Sequence, residues 1–114
     1  MSETRPAEAF ADDTPLVALF GQPARTKIAS VLVDERERDL SISEIARQAG
    51  VARSTVYDHL DDLVALGVAE HTRDSGASKR YQLADDSDIA ELLYQLDGLV
   101  LRQLLEQQGE LHDD

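Results

Sequence analysis

Five consecutive residues, Arg53-Ser54-Thr55-Val56-Tyr57, set four hydrogen-bonding side chains around one aliphatic. Arg53 offers the paired donors that fit guanine O6 and N7, or a phosphate. Ser54 and Thr55 can bond phosphate oxygens or base edges. Tyr57 can lay its ring on a thymine methyl or give its hydroxyl to a phosphate. Upstream, Ser43 and Arg47 are suited to holding a sugar–phosphate backbone. Downstream, Arg73, Lys79 and Arg80 form a second cationic group, with Ser75 and Ser78 between them. These are donors for anions and base edges. No nucleophile–base pair, phosphate loop or paired-carboxylate site accompanies them, so an enzyme is not expected.

Other chemistries drop out on residue type. There is no cysteine, which removes disulfides, zinc–thiolate sites and thiol redox sensing. His59, His71 and His112 lack metal-ligand spacing. The expectation is therefore no metal and no cofactor.

The elements that must hold the donors follow from local signals. Ser41-x-x-Glu44 has the spacing of a capping box and predicts a helix start. Ile45 and Ala49 fall one turn apart, and Gly50 ends that helix where a positive φ costs least. Val51 is a lone apolar plug in the turn. A second helix is expected from about Arg53 to Leu66, with Val56, Leu60, Leu63 and Leu66 on one face and Gly67 at its end. Burying that face leaves Arg53, Ser54, Tyr57, Asp58 and Asp61 outside. Ala52 offers this helix no side-chain cap, which leaves an N–H free for a phosphate. Residues 68–72 and 80–83 read as short strands joined by the turn RDSGASK. Ahead of all this, Thr14 can cap a short helix with Pro15 at its first position. Pro23 can open another, with Ile28, Val31 and Leu32 inward. The segment DERERD (34–39) reads as a charged, solvated connection.

Two helices joined by a Gly-Val-Ala turn and followed by a hairpin have the order of a winged helix-turn-helix. The segment ISEIARQAGVARSTVYDHLDDLVALGVAE (42–70) resembles the DNA-binding core of ArsR/MarR-type winged-helix transcription regulators. Ala46, Gly50 and Val56 stand where those families keep a small residue, a turn glycine and a buried aliphatic. The likeness is close over about thirty residues and extends in architecture over roughly 16–105. It implies a recognition helix (53–66) entering the major groove and a wing (73–80) on the backbone or minor groove. Asp58, Asp61 and Asp62 depart from the basic habit of that helix, so only its first turn and a half is expected to touch DNA. His59 is expected to be partly buried.

The region 85–108 reads as one long helix rich in aliphatics. Ile89, Leu93, Leu96, Val100 and Leu104 recur close to a coiled-coil stripe, with Leu92, Leu99 and Leu105 on the neighbouring face. This exceeds one seam's needs and points to a homodimer. In the resembling families this helix pairs with its mate.

The net charge of −12 argues against a nucleic-acid partner until its location is considered. Residues 1–15 carry −3 and residues 85–114 carry −8, so the middle is nearly neutral. Asp outnumbers Glu fourteen to nine, and Arg outnumbers Lys nine to two. This skew resembles proteins of salt-loving archaea, where concentrated salt screens self-repulsion. An ordinary acidic protein with acidic ends is the alternative.

The expected architecture is mainly α with a small β-hairpin wing (α+β). It comprises a flexible acidic tail (1–13), a winged helix-turn-helix domain (14–84), a C-terminal dimerisation helix (85–108) and an acidic end (109–114). No apolar run reaches the ~20 residues of a membrane helix and no signal peptide opens the chain, so a cytoplasmic protein is expected. Double-stranded DNA and a second copy are the expected partners, with repression the expected outcome. Two other readings remain: a winged-helix protein-interaction adaptor, and the same DNA reader gated by an effector that the sequence does not name.

Overall fold

A few capping and turn residues decide where each element starts and stops. The computed structural model describes residues 14–112; the expected acidic stretch at 1–13 and the last two residues lie outside the described residues. Helix α1 (Pro15–Phe20) begins with Pro15 in its first turn, where a missing N–H costs nothing. Thr14 sits at the N-cap position, but its hydroxyl does not cap the helix. It accepts a hydrogen bond from the buried Ser30 hydroxyl instead, because two buried hydroxyls need partners more than an open helix end does. Helix α2 (Ala24–Asp34) follows Pro23 and buries Ile28, Val31, Leu32 and Val33.

The capping box forms as its spacing predicts. Strand β1 (Leu40–Ser41) runs directly into α3 (Ile42–Ala49). The Glu44 N–H donates to Ser41 Oγ at 3.1 Å, and the Ser41 N–H donates to the Glu44 carboxylate at 2.9 Å. Gly50 takes the left-handed conformation at φ 74°, turning the chain into α4 (Arg53–Ala65).

Strands β2 (Ala69–Ser75) and β3 (Ser78–Leu83) form the hairpin. Its loop is only Gly76-Ala77, tighter than the sequence suggested, because Gly76 supplies the positive φ (64°) such a loop needs. Arg73 and Lys79 therefore lie in strands. A third strand, too short to show alternation, was not expected: β1 pairs with β3, giving an antiparallel sheet of order β1-β3-β2.

Helix α5 (Asp88–His112) starts after Ser87, whose hydroxyl accepts the Ala90 N–H at 3.2 Å. It continues to His112, past the expected end, and 25 residues span about 37 Å. One apolar core joins Leu16, Ile28, Leu32, Leu40, Ile45, Val56, Leu60, Leu83 and Ala90, drawing on every element except β2's outer half. No helix among the described residues is long and apolar enough to cross a membrane.

Candidate nucleic-acid interface

Burial fixes how α4 presents its donors. Val56, Leu60 and Leu63 face the core, so Arg53, Ser54 and Tyr57 face out, with Thr55 half-buried. Leu66, expected on the inward face, is exposed instead, because α4 ends at Ala65 and Leu66 is its C-cap. No side chain caps α4, whose N-cap residue is Ala52. A helix start in that condition presents N–H groups and positive dipole to an anion.

A cleft of about 270 Å³ lies between the starts of α3 and α4 and the wing. It brings Ser43, Arg53, Tyr57 and Lys79 together with Asp61 and Tyr81. Four residues singled out on type and spacing thus meet from three separate elements. Arg47 is exposed on α3 and Ser54 on α4, both outside the cleft. Asp61 sets an acid in the cleft wall.

Arg73 and Arg80 lie elsewhere. In the register they stand opposite one another, while Tyr81 stands opposite His71, whose ring it meets at 5.4 Å. Alternation therefore places the two arginines on the sheet face away from Tyr81. There both grip Asp39. Arg73 donates to its carboxylate at 2.8 and 3.3 Å, and Arg80 at 3.1 Å. Arg80 also donates to the Asp39 carbonyl at 3.2 Å and to Glu44 at 3.0 Å. The Arg73 hydrogen bonds hold the Asp39 carboxyl well below the usual carboxylate range, with Thr72 and Arg80 assisting. Glu44 is also lowered, first by the Ser41 N–H. The Arg80 side chain is 19% exposed, against 61% for Arg73, so only Arg73 is readily offered to solvent. Sequence reasoning missed Asp39, which lies inside a run that looked like a solvated connection.

That run is held at more than one point. Arg36 pairs with Glu91 of α5 at 2.7 Å and lies 4.0 Å over the Tyr94 ring. Its carbonyl accepts from Gln82 of β3 at 3.0 Å. The expectation of a merely solvated linker is corrected: these charges tie α5 to the wing. Beside it, burial, Asp97 and then Glu35 push the Asp34 carboxyl up to about 6, and burial raises Asp97. Arg25 of α2 ties down the far half of α4, donating to His59 Nδ1 at 3.1 Å and to Asp62 at 2.6 Å. His59 is half-buried. His71 contacts Asp74 at 2.9 Å. Among the described residues no group of three or more His, Asp or Glu could hold a metal.

Helix α5 divides the expected dimer residues between two faces. Leu93 and Leu96 pack on the core of their own chain, and Val100 and Leu104 are half-buried. Ile89, Leu92 and Leu99 are half or more exposed, as is Leu105. The split arises because the first half of α5 crosses α1 and α2, which take up the inward stripe. A Cβ at Gly98 would meet nothing within 4 Å.

Known proteins agree with this architecture. The IclR helix-turn-helix domain matches residues 32–73, the span from the end of α2 into β2. The crystallised M. tuberculosis Rv0081 is 31% identical, over 81% of this chain and 88% of that one, with a TM-score of 0.55. A MarR-family transcriptional regulator from Silicibacter pomeroyi is 21% identical, over 82% of this chain and 61% of its own, with a TM-score of 0.58. Streptococcus pneumoniae FabT, solved in complex with DNA, is 18% identical, over 83% and 68%, with a TM-score of 0.60. No curated protein sequence matches. The MarR side of the sequence resemblance thus recurs in fold, while the matching domain is of the IclR type. With near one-third identity across most of both chains, the protein belongs to the family of M. tuberculosis Rv0081, and its fold is the winged helix-turn-helix of transcription regulators.

Proposed function

We propose that the protein is a sequence-specific DNA-binding transcription regulator that acts as a homodimeric repressor. The observation that carries this reading is the cleft in which Ser43, Arg53, Tyr57 and Lys79 meet at the uncapped start of α4. In this motif class the recognition helix enters the major groove by its N-terminal end. Arg53 then reaches a guanine edge, and Ser54, Thr55 and Tyr57 complete the base and phosphate contacts. Ser43 and Arg47 hold the backbone ahead of it, while Lys79, Arg73 and Arg80 serve the wing. That FabT, which shares this fold, was solved in complex with DNA supports DNA as the partner.

Dimerisation is supported by the outward Ile89, Leu92 and Leu99, with Leu19 and Phe20 exposed on the adjoining α1. A two-fold axis there would present two recognition helices to half-sites about one DNA turn apart. Residues 14–84 would act as the reading unit and 85–108 as the pairing helix. The Asp-rich, Lys-poor composition supports work in a salt-rich cytoplasm. Asp61 in the cleft favours a second reading, an adaptor whose partner is a basic protein.

Sheared genomic DNA from the source organism, retained on immobilised protein at ~2–3 M KCl and sequenced, separates the two. Enrichment of a few inverted repeats, lost with Arg53→Ala, is the expected result. No enrichment with folded protein overturns the DNA-reader reading.

A further inference from the structure

The wing's two arginines share one carboxylate, but they do not share it equally. Arg80 is largely buried and anchored three ways, to the Asp39 carboxylate, the Asp39 carbonyl and Glu44. Arg73 is exposed and holds only the Asp39 carboxylate. The chain goes out of its way to make that second contact. The β2–β3 register slips between His71 and Arg73, a bulge that adds Thr72 to the strand. Bulges re-aim side chains. Here Thr72 and Arg73, neighbours that would alternate in a regular strand, both reach the same Asp39 oxygen, at 2.7 and 2.8 Å. Losing Arg73 would not strand that carboxylate, because Thr72 and Arg80 still donate to it.

We infer that Asp39 is an internal stand-in for DNA phosphate: it holds Arg73 in the free protein and gives it up to the phosphate backbone, while Arg80 stays behind as the brace that keeps the wing in place. This rests on the DNA-reader reading above. The consequence is a built-in tax on non-specific binding. Any duplex must outbid Asp39 for Arg73, so only a site that also satisfies Arg53 gains enough to do so.

The test uses a mixed-sequence 24-base-pair duplex and fluorescence anisotropy. Asp39→Asn keeps an acceptor for Thr72 and removes the competing charge. We expect it to tighten binding about 2- to 5-fold, the range of one exposed ion pair. In an Arg73→Ala background the same change should give no gain, which separates release of Arg73 from a general loss of negative charge. Equal gains in both backgrounds, or weaker binding by Asp39→Asn, would overturn the exchange. Should Asp39→Asn melt out, the wild-type protein carries the test through its arginine Nε–H resonances. On adding a duplex enriched from the genomic selection above, in place of the mixed one, the Arg73 signal should move and the Arg80 signal should stay; both moving, or neither, overturns the inference. If Arg53→Ala binds that enriched duplex as wild type does, the DNA-reader reading has failed, and the exchange falls with it.

Discussion

The helix-turn-helix and the wing are adjacent in the chain but are held together by different means. The α3–α4 unit is organised by neighbours in sequence: the reciprocal Ser41–Glu44 cap, the left-handed Gly50, and apolar residues three and four apart. The wing is organised by partners more than thirty residues away, with Asp39 gripping Arg73 and Arg80, and Arg36 receiving Gln82. Local devices make a stiff reading head. The exposed Arg73 lets this limb change partners cheaply, since an exposed pair is worth little in water, while the largely buried Arg80 keeps it in place. A reader that must lie on an irregular backbone gains from having both.

The largest effect should come from cutting the contact common to both regions. Ile45 is fully buried in the single core, so Ile45→Ala should cost about 2–5 kcal/mol by urea denaturation, with the midpoint falling and the slope unchanged. If the wing melted separately, the transition would split and the comparison would need redrawing. Next in size is Arg80→Ala, which leaves Asp39 and Glu44 without their shared cation. Amide exchange should quicken about tenfold where β1 pairs with β3, at Leu40 and Tyr81, and stay unchanged in the middle of α4. Equal quickening in α4 would mean the two regions are not separable. Ser41→Ala removes half of the capping box and should cost about 1 kcal/mol, read from thermal unfolding.

This division also marks what was legible in the sequence. The cap, the turn glycine, the inward stripe of α4 and the outward Arg53 and Tyr57 were all readable, since each is set within one or two helical turns. The cleft was legible only as a list of donors; that Ser43, Arg53, Tyr57 and Lys79 meet is a product of the sheet. Strand β1 was hidden because two residues carry no periodicity. Asp39 was hidden because a charge inside DERERD looks like any solvated charge until its partners arrive from β2 and β3. Helix α5 was visible as an excess of aliphatics, but which of them turn inward depends on where α1 and α2 cross it.

The smallest effect is pH dependence at the other end of the linker. Asp34 has its carboxyl raised to about 6 in the folded protein. Between about pH 4 and 6 the native state therefore holds a proton that the unfolded chain has released. Its contribution to stability is present below that window and is lost as pH rises through it. Asp39 and Glu44 are shifted the opposite way, and their contribution is lost only as pH falls below the ordinary carboxylate range. Asp34→Asn should flatten the pH 4–6 limb of the thermal-stability profile and leave the acid limb in place.

In the proposed function, the first turns of α4 and the wing together form the DNA-reading surface. Backbone amide shifts of the labelled protein, followed while an enriched genomic duplex is added, test it most directly. Changes are expected at Ser43 and Arg47, from Arg53 to Tyr57, and from Arg73 to Arg80, with the face of α4 beyond Asp61 unmoved. Changes centred on α5 or on the acidic far half of α4, with Arg53 and the wing silent, would contradict it.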